Sequence, residues 1–520
     1  MTISSVTRNA MVASFTDMRS TLEGLQRQLS TGEKSDTFGG LGTARSQSVS
    51  FHTRISSLEA YTDATKQVNL RVKLLDTAMN RLDTVPTDVR KAIDPNSYTV
   101  RLDGKTDAQK SSAIALDEVV GLLNSQSDGR YLMSGKSTDT KPVMSVDEIL
   151  NGTGTKAGLR QVIAERLTAD LGTGTGSDKL GRLTIAGGGT TTIGRETALP
   201  DEFGYKIAGI TATSSTSAIT TGTTTVTAGG TDYTDTASAT FGDNVAEGDA
   251  VTLALVNPDG TQTSITLTAT KTSPAATGSF TIGANGDETG SNFAAALQSA
   301  VVTKTKSEFQ SASAMRASET FFNTYGDGHA ARVDTAATGG DLATATALTY
   351  DTNDTTVQWY QGYNAAIDSS DSSTLPRNDI TARIDSSVTL GYGVRANEAG
   401  YAKMMQALGV MSVETFDGSV STDEGRYSAM AERVRDTLAF DKGSQGPSDI
   451  HSEIAVVGKV ATDTATQHDA DKNTIQELLD GVEGVNKEDI AAQIMTLQNR
   501  MQASYQTASI LWGLSLVNYM

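Results

Sequence analysis

Proline is absent from both ends of this 520-residue chain, and this absence constrains the fold more than any other feature of the sequence. All eight prolines lie between Pro86 and Pro447. Proline removes a backbone hydrogen bond from a helix interior and clashes with the preceding turn, so it usually interrupts long helices. We therefore expect long, uninterrupted helices at both ends of the chain.

Apolar residues near the N-terminus recur at alternating spacings of four and three. The members of this stripe are Met11, Phe15, Met18, Leu22, Leu25 and Leu29. Polar residues fill the intervening positions, as in a coiled-coil helix, and Thr31-Gly32 supplies a stop signal. A second stripe with the same spacing consists of Leu58, Tyr61, Thr65, Val68, Val72, Leu75, Met79 and Leu82. A third helix is expected from Ala108 to about Ser127.

The C-terminal end repeats this pattern. One stripe consists of Ile454, Val457, Ala461, Thr464, His468, Asp471, Ile475 and Leu478, and it is polar in its middle. The stripe of the last helix consists of Ile490, Ile494, Leu497, Met501, Ser504, Ala508 and Leu511. The tail from Leu511 to Val517 is more apolar than one stripe requires, which is typical of an interface.

The middle of the chain has a different composition, rich in Thr, Gly, Ser and Ala from about residue 152 to 290. Alternating apolar residues on both sides of Asn257-Pro258-Asp259-Gly260 predict a β-hairpin, which favours small β domains over disorder. Phe280 and Ile282 predict a further strand, and one or two helices should follow between Asn292 and about Phe322. Strands leading back are expected around Val357, Trp359, Ile380, Ile384, Val388 and Leu390.

These patterns predict a mainly α fold. N- and C-terminal helices would pair in a coiled-coil-like stalk, because each carries an apolar stripe that another helix must cover. The stalk would carry a β-rich (α+β) outer insertion. The expected boundaries are residues 1–45 with 482–520 for inner core helices, 46–140 with 390–481 for a helical bundle, and 141–389 for the insertion.

Charge and cysteine content exclude several classes of function. Forty-two Lys and Arg against 61 Asp and Glu give a net charge of −19, so the basic surface of a nucleic-acid-binding protein is absent. The chain has no cysteine, which excludes disulfides and thiolate metal sites. The N-terminus lacks the basic and apolar regions of a cleaved signal peptide, and no apolar run is long enough to insert into a membrane.

No catalytic, cofactor-binding or metal-binding residue is predicted. The four histidines lack metal-ligand spacing, and His468 beside Asp471 is more typical of a polar stripe position than of a pH-sensitive pair. Runs such as Gly152-Thr153-Gly154-Thr155 do not continue into a phosphate-binding motif. Calcium binding by Asp327, Asp334 and Asp341, or by Asp351 and Asp354, is less favoured than solvated loop carboxylates.

Two terminal segments resemble the flagellin superfamily. The run Leu25-Gln26-Arg27-Gln28-Leu29-Ser30-Thr31-Gly32 is similar to the segment that ends the first helix in that family. The C-terminal run Leu514-Ser515-Leu516-Val517-Asn518-Tyr519 is similar to the family's C-terminus. The resemblance covers about residues 1–140 and 390–520.

Two further segments resemble the hook–filament junction branch of this family, often called hook-associated protein 3. They are Asp128–Gly135, with Met133 where Phe is common, and Gly391–Glu398. The long insertion is instead more typical of filament flagellins, which are the second interpretation. A surface adhesin carried by the insertion is a third, less favoured one.

The resemblance implies a non-enzymatic structural subunit of the bacterial flagellum. Such subunits are extracellular, pass through the flagellar type III export apparatus without a cleaved signal peptide, and self-assemble through terminal helices that become ordered on polymerisation. The implied partners are further copies of the chain, other flagellar axial proteins and an export chaperone. The residues expected at the assembly interface are Phe15, Leu22, Leu25, Leu29, Leu497, Met501, Leu511, Leu514 and Leu516.

Overall fold

A computed structural model of the chain describes residues 3–174, 176, 178–350, 355–441 and 443–517, with the backbone alone for 3–8 and 511–517. About 51% is helix and 17% is strand, so the fold is mixed α+β. The chain divides into two compact units: residues 1–69, 382–390 and 458–520 form the terminal unit, and residues 70–381 and 391–457 form the large unit. The predicted division into three segments stays a prediction.

Eleven α-helices are found within the described residues. They are α1 (Ile3–Thr31), α2 (Arg45–Ala92), α3 (Asp107–Leu123), α4 (Val146–Asn151), α5 (Leu159–Leu171), α6 (Gly286–Lys304), α7 (Gln310–Phe322), α8 (Ala399–Val413), α9 (Asp423–Thr437), α10 (Pro447–Glu483) and α11 (Lys487–Val517). A π-helical segment, Thr305–Phe309, joins α6 to α7, and 3-10 turns lie at Phe38–Ala44, Ala336–Thr338, Ser372–Thr374 and Pro376–Asp379.

Fourteen strands are found in the same part of the chain. They are β1 (Gln126–Ser127), β2 (Arg130–Tyr131), β3 (Leu183–Ala186), β4 (Thr190–Arg195), β5 (Lys206–Thr213), β6 (Ile219–Ala228), β7 (Thr231–Phe241), β8 (Ala250–Val256), β9 (Gln262–Thr270), β10 (Ser279–Thr281), β11 (Ala331–Val333), β12 (Leu348–Tyr350), β13 (Thr381–Arg383) and β14 (Thr389–Gly391). Two sheets have four strands each, in the orders β3-β4-β7-β6 and β10-β9-β8-β5.

The first helix stops where the sequence predicts. Helix α1 ends at Thr31, and Gly32 adopts a positive φ of 80°. A left-handed residue after the last turn is a common helix terminator, and glycine adopts it without a Cβ penalty. The third helix ends earlier than expected, at Leu123 instead of Ser127. The Asn124 side chain there exchanges hydrogen bonds with the backbone of Val143, which fixes a turn.

The predicted stripe of α2 is confirmed by its burial. Each of its residues from Leu58 to Leu82 is buried except Tyr61, which is half-buried, and the helix continues through Pro86. In α10 the end of the predicted stripe is wrong, because Leu478 is 52% exposed and Leu479 is buried instead. A straight helix has 3.6 residues per turn, so its buried face drifts away from a strict seven-residue repeat.

The predicted hairpin of the insertion is confirmed as β8 and β9. These strands pair in antiparallel register from Ala250↔Thr268 to Val256↔Gln262, and their inward residues alternate with exposed ones. The further strand is β10, which pairs in parallel with the end of β9. Phe241, Phe280 and Phe293 pack together with ring centroids 5.0–5.8 Å apart, and they join α6 to both sheets in one apolar core.

The expectation of strands at Val357 and Trp359 is wrong. This stretch is irregular backbone with isolated bridges, such as Val143↔Tyr360. Trp359 is fully buried, its indole Nε1 donates to the Phe322 carbonyl at 3.1 Å, and its ring packs edge-on against Phe322. Its burial among helices therefore does not depend on a sheet.

A histidine joins α2 to α10 within the large unit. His451 Nδ1 lies 2.5 Å from Asp83 Oδ2, and Nε2 lies 2.8 Å from Asp76 Oδ1. The two carboxylates are one heptad apart on α2, so they bracket the ring. Burial lowers the pKa of His451, but the hydrogen bonds to Asp76 and Asp83 outweigh it, and the pKa is raised above its usual 6.5.

Because the folded pKa of His451 is raised, the protonated ring stabilises the fold fully below the unfolded value of about 6.5. This contribution is lost as the pH rises through the folded pKa. We expect the urea midpoint of the wild type to fall as the pH rises from the unfolded pKa through the folded pKa of His451. In His451→Gln, the urea midpoint should fall less over the same pH range. Equal pH dependence in both proteins would contradict the assignment. His329→Gln serves as the control, because it removes a histidine elsewhere in the large unit.

Candidate assembly surface

Helices α1 and α11 pack against each other in the terminal unit. The rings of Phe15 and Tyr505 stack with centroids 4.8 Å apart and an interplanar angle of 11°. Beside this stack, a shallow hollow is lined by Met11, Met18, Ser504 and other residues of the two helices. Aromatic stacking adds to the free energy of burial, so this contact anchors the two helices locally.

The predicted interface residues are incompletely buried in the single chain. None of those with described side chains is buried and none is fully exposed: Phe15, Leu22, Leu25, Leu29, Leu497 and Met501. The side chains of Leu511, Leu514 and Leu516 lie outside the described part of the chain. The stripe is thus partly sheltered by the facing helix, and its remaining apolar surface is open to a further partner.

Large exposed apolar side chains extend this surface beyond the predicted residues. Val12, Met495, Tyr505 and Ile510 are 59%, 66%, 56% and 63% exposed. They lie on α1 and α11 but outside the apolar stripes. They fall outside the alternating spacing of three and four, so periodicity alone does not place them at the interface.

The turn that follows α1 pairs with the turn between α10 and α11. The Lys34 N–H donates to the Glu483 carbonyl at 2.7 Å, and the Val485 N–H donates to the Gly32 carbonyl at 2.9 Å. The Lys34 ammonium also donates to the carbonyl oxygens of Gly481 and Val482 at 3.2 and 2.6 Å. A cation is favourable at the C-terminal end of a helix, so Lys34 caps α10 and helps to set the register of α11 beside α1.

The next part of the terminal unit ties α2 to α10. Ser48 and His52 both approach Glu483 Oε1, at 2.5 and 3.0 Å. Lys472 donates to Glu59 at 2.6 Å, and this hydrogen bond raises the pKa of the lysine ammonium. Below them, Ile55, Leu58, Ile475 and Leu479 form a small buried cluster. This apolar cluster and these side-chain hydrogen bonds hold α2 against α10 next to the start of α11.

His468 is not paired with Asp471. It is 3% exposed, its Nε2 lies 2.7 Å from the Ile384 carbonyl, and its ring stacks on Tyr61 at 5.9 Å. Asp471 instead accepts a hydrogen bond from Gln467. The preferred interpretation of His468 as a polar position of the helical stripe is therefore confirmed.

The two segments that resemble the junction branch contact each other within the large unit. Ser134 and Arg395 form an antiparallel bridge. The Gly135 N–H donates to the Val394 carbonyl at 3.0 Å, and the Ala396 N–H donates to the Met133 carbonyl at 2.8 Å. The backbones of residues about 260 positions apart are thus joined at the point where the insertion begins and ends.

Three buried polar side chains fix the second of these segments. Arg395 makes two hydrogen bonds to Asp379, at 2.6 and 2.9 Å, and both side chains are fully buried. Glu398 accepts from the Arg395 N–H at 3.0 Å and pairs with Arg377. Asn397 donates to the Thr324 carbonyl and to Asn364. Gly135 adopts a φ of 57°, and a Cβ there would lie 2.7 Å from an Asp379 carboxylate oxygen, so this position requires glycine.

Neither a metal site nor a membrane span is found in the described ranges of the chain. No group of three or more acidic, histidine or cysteine side chains there could hold a metal ion. Asp334 and Asp341 accept hydrogen bonds from nearby backbone N–H groups of their own turns; Asp351 and Asp354 lie outside the described residues. No described helix is both long and apolar enough to cross a lipid bilayer.

Comparison with protein-family models gave no matching family, and comparison with curated proteins gave no match.

Proposed function

We propose that this protein is a structural subunit of the bacterial flagellum that self-assembles through its terminal helices. The observation that carries the proposal is the incompletely buried stripe on α1 and α11. A stripe that one partner helix shelters only partly keeps apolar surface for further copies.

In the proposed assembly, α1 and α11 pair in a coiled-coil-like manner and are covered by the same helices of neighbouring copies. Burial of apolar area is the main favourable term in such an association. A helix with one narrow stripe gains little from isolated folding, so ordering and assembly would be coupled. The paired turns at Gly32 and Gly484 would hold the two helices in register while neighbours bind.

Within the flagellum, we propose the hook–filament junction as the place of this subunit. Support comes from the resemblance of Asp128–Gly135 and Gly391–Glu398 to junction proteins. The two segments are joined by backbone hydrogen bonds, and the positive φ of Gly135 and the buried Arg395–Asp379 pair give a physical reason for Gly135 and Arg395 at these positions. The bulk filament is the alternative place, which the length of the insertion favours.

Immunogold labelling of isolated flagella tests both statements. Antibodies against the purified chain should label a single short band where the hook meets the filament. Label along the whole filament would replace the junction assignment with the filament subunit. Absence of label from flagella that carry other axial proteins would contradict the proposed function itself.

A further inference from the structure

One edge of the second four-stranded sheet is open along most of its length. Strand β10 covers only Thr268–Thr270 of β9, although β9 begins at Gln262. The Thr268 N–H donates to the Gly278 carbonyl on the β10 side, whereas the Ala269 N–H donates to Asp249 on the β8 side. Because strand residues alternate, the N–H and C=O groups of Ser264 and Thr266 point towards the side that β10 leaves uncovered.

This open edge faces a groove rather than a flat surface. The β9–α6 groove has a volume of about 820 Å³ and lies between β9, the loop before β10 and α6. Its helical wall consists of small side chains at i, i+3, i+4 and i+7 on α6: Ala296, Ser299, Ala300 and Thr303. No acidic residue lines it, and its one basic lining residue, Lys304, is paired with Glu308 at 2.6 Å. The groove therefore offers space for an extended backbone beside unused strand groups.

Strand β6 is an exposed edge strand of the other four-stranded sheet. Its sequence, Ile-Thr-Thr-Gly-Thr-Thr-Thr-Val-Thr-Ala, has no charge and no proline, and residues 220–227 are exposed. The other edges of the two four-stranded sheets differ: β3 and β10 have four and three residues, and β5 carries Lys206. The pairing of β6 with β7 has a register shift between Thr224 and Thr225, as β5 has with β8 between Ile207 and Gly209. Shortness, lysine and bulges are the usual protection of an edge against pairing. Strand β6 is the long edge that lacks charge and proline.

We propose that β6 of one copy adds to β9 of a neighbouring copy in the β9–α6 groove. The Ala218 carbonyl accepts from the Gly242 N–H, so the alternation leaves Thr223 and Thr225 with backbone groups directed outward. These groups would pair with those of Ser264 and Thr266. Main-chain pairing along an exposed edge is a recurrent mode of recognition between proteins.

Charge favours a second copy of the chain as the occupant. A net charge of −19 makes copies repel each other, and this repulsion is weakest where acidic side chains are absent. Both β6 and the groove lack acidic residues, so they are surfaces that two acidic copies can bring together. Because the two surfaces differ, the contact is head-to-tail and can repeat around a ring or along a helical lattice. This inference rests on the proposed function, to which it adds a contact outside the terminal helices.

Disulfide trapping tests the contact, since the 520-residue chain has no cysteine of its own. Thr225→Cys is mixed with Ser264→Cys or with Thr266→Cys. Thr223→Cys is mixed with the same two variants, so that both possible pairings of the two strands are sampled. Directly opposed strand residues lie within the Cα separation that a disulfide requires. Thr225→Cys mixed with Thr349→Cys on exposed β12 is the control. Two fractions are oxidised separately: sedimented polymer, and concentrated protein that has not assembled.

We expect a linked dimer in one β6–β9 combination at roughly tenfold the yield of the control, because a held pair has a high effective concentration. Linking of Thr225→Cys to itself alone, or yields equal to the control in both fractions, would overturn the inference. Sedimentation of the unmodified chain reports assembly separately. Failure to polymerise would count against the proposed function, whereas polymer without the β6–β9 link would count against this contact alone.

Discussion

Leu25→Asp should abolish assembly while leaving the single chain folded. Leu25 lies on the α1 stripe and is only half-buried in one copy, so its carboxylate would keep access to water there. In an assembly, neighbouring helices would cover the position, and an unpaired buried charge costs several kcal/mol. Each 1.4 kcal/mol per contact raises the dissociation constant tenfold, so the loss should exceed a hundredfold.

Gln26→Asp is the matched control, because it introduces the same charge at the next residue, which is exposed. Sedimentation and electron microscopy measure the polymer, and circular dichroism measures the helix content of the unassembled chain. We expect the control to polymerise like the wild type. Filaments or rings of normal yield from Leu25→Asp would remove the α1 stripe from the interface and with it the basis of the proposed function.

The sequence predicts those parts of the fold that depend on local periodicity. The stripe from Leu58 to Leu82 is buried in α2, and the β8–β9 hairpin forms around Asn257–Gly260. Both follow from repeats of apolar residues and from turn residues within one segment. Helix α4 could also have been found, because Ser145 and Glu148 form a capping box, a recognised signal of a helix start.

Other parts depend on contacts between distant segments, which one sequence does not reveal. Trp359 is held by the Phe322 carbonyl and ring, so its irregular backbone has no local signal. Lys34 contacts the end of α10 about 450 residues later, and the Thr31-Gly32 stop signal gives no indication of that partner. The pairing of Asp128–Gly135 with Gly391–Glu398 belongs to the same class. Resemblance singled out both segments, but their contact required the structure.

Removal of one partner from the buried ion pair beneath these segments should destabilise the fold strongly. Arg395 and Asp379 are fully buried, and Arg395 also donates to the Ala365 and Thr374 carbonyls and lies 5.0 Å from the Tyr363 ring centroid. Asp379→Ala would leave this network with a buried guanidinium that has lost its counter-charge. Removal of one partner of such a pair typically costs about 3–5 kcal/mol, because the remaining charge is neither paired nor solvated.

Urea unfolding of the whole chain measures this loss in the free energy of unfolding. Asp88→Ala is the control. Asp88 pairs with Arg81 at 2.8 Å, but both side chains are about half exposed, and Arg81 keeps Glu118 as a partner. An exposed pair of this kind contributes at most about 1 kcal/mol. Asp379→Asn should fall between the two, because it keeps an acceptor but not the charge. Equal effects of Asp379→Ala and Asp88→Ala would mean that water or a rearranged carboxylate solvates Arg395, and that the joined segments depend on their backbone hydrogen bonds alone.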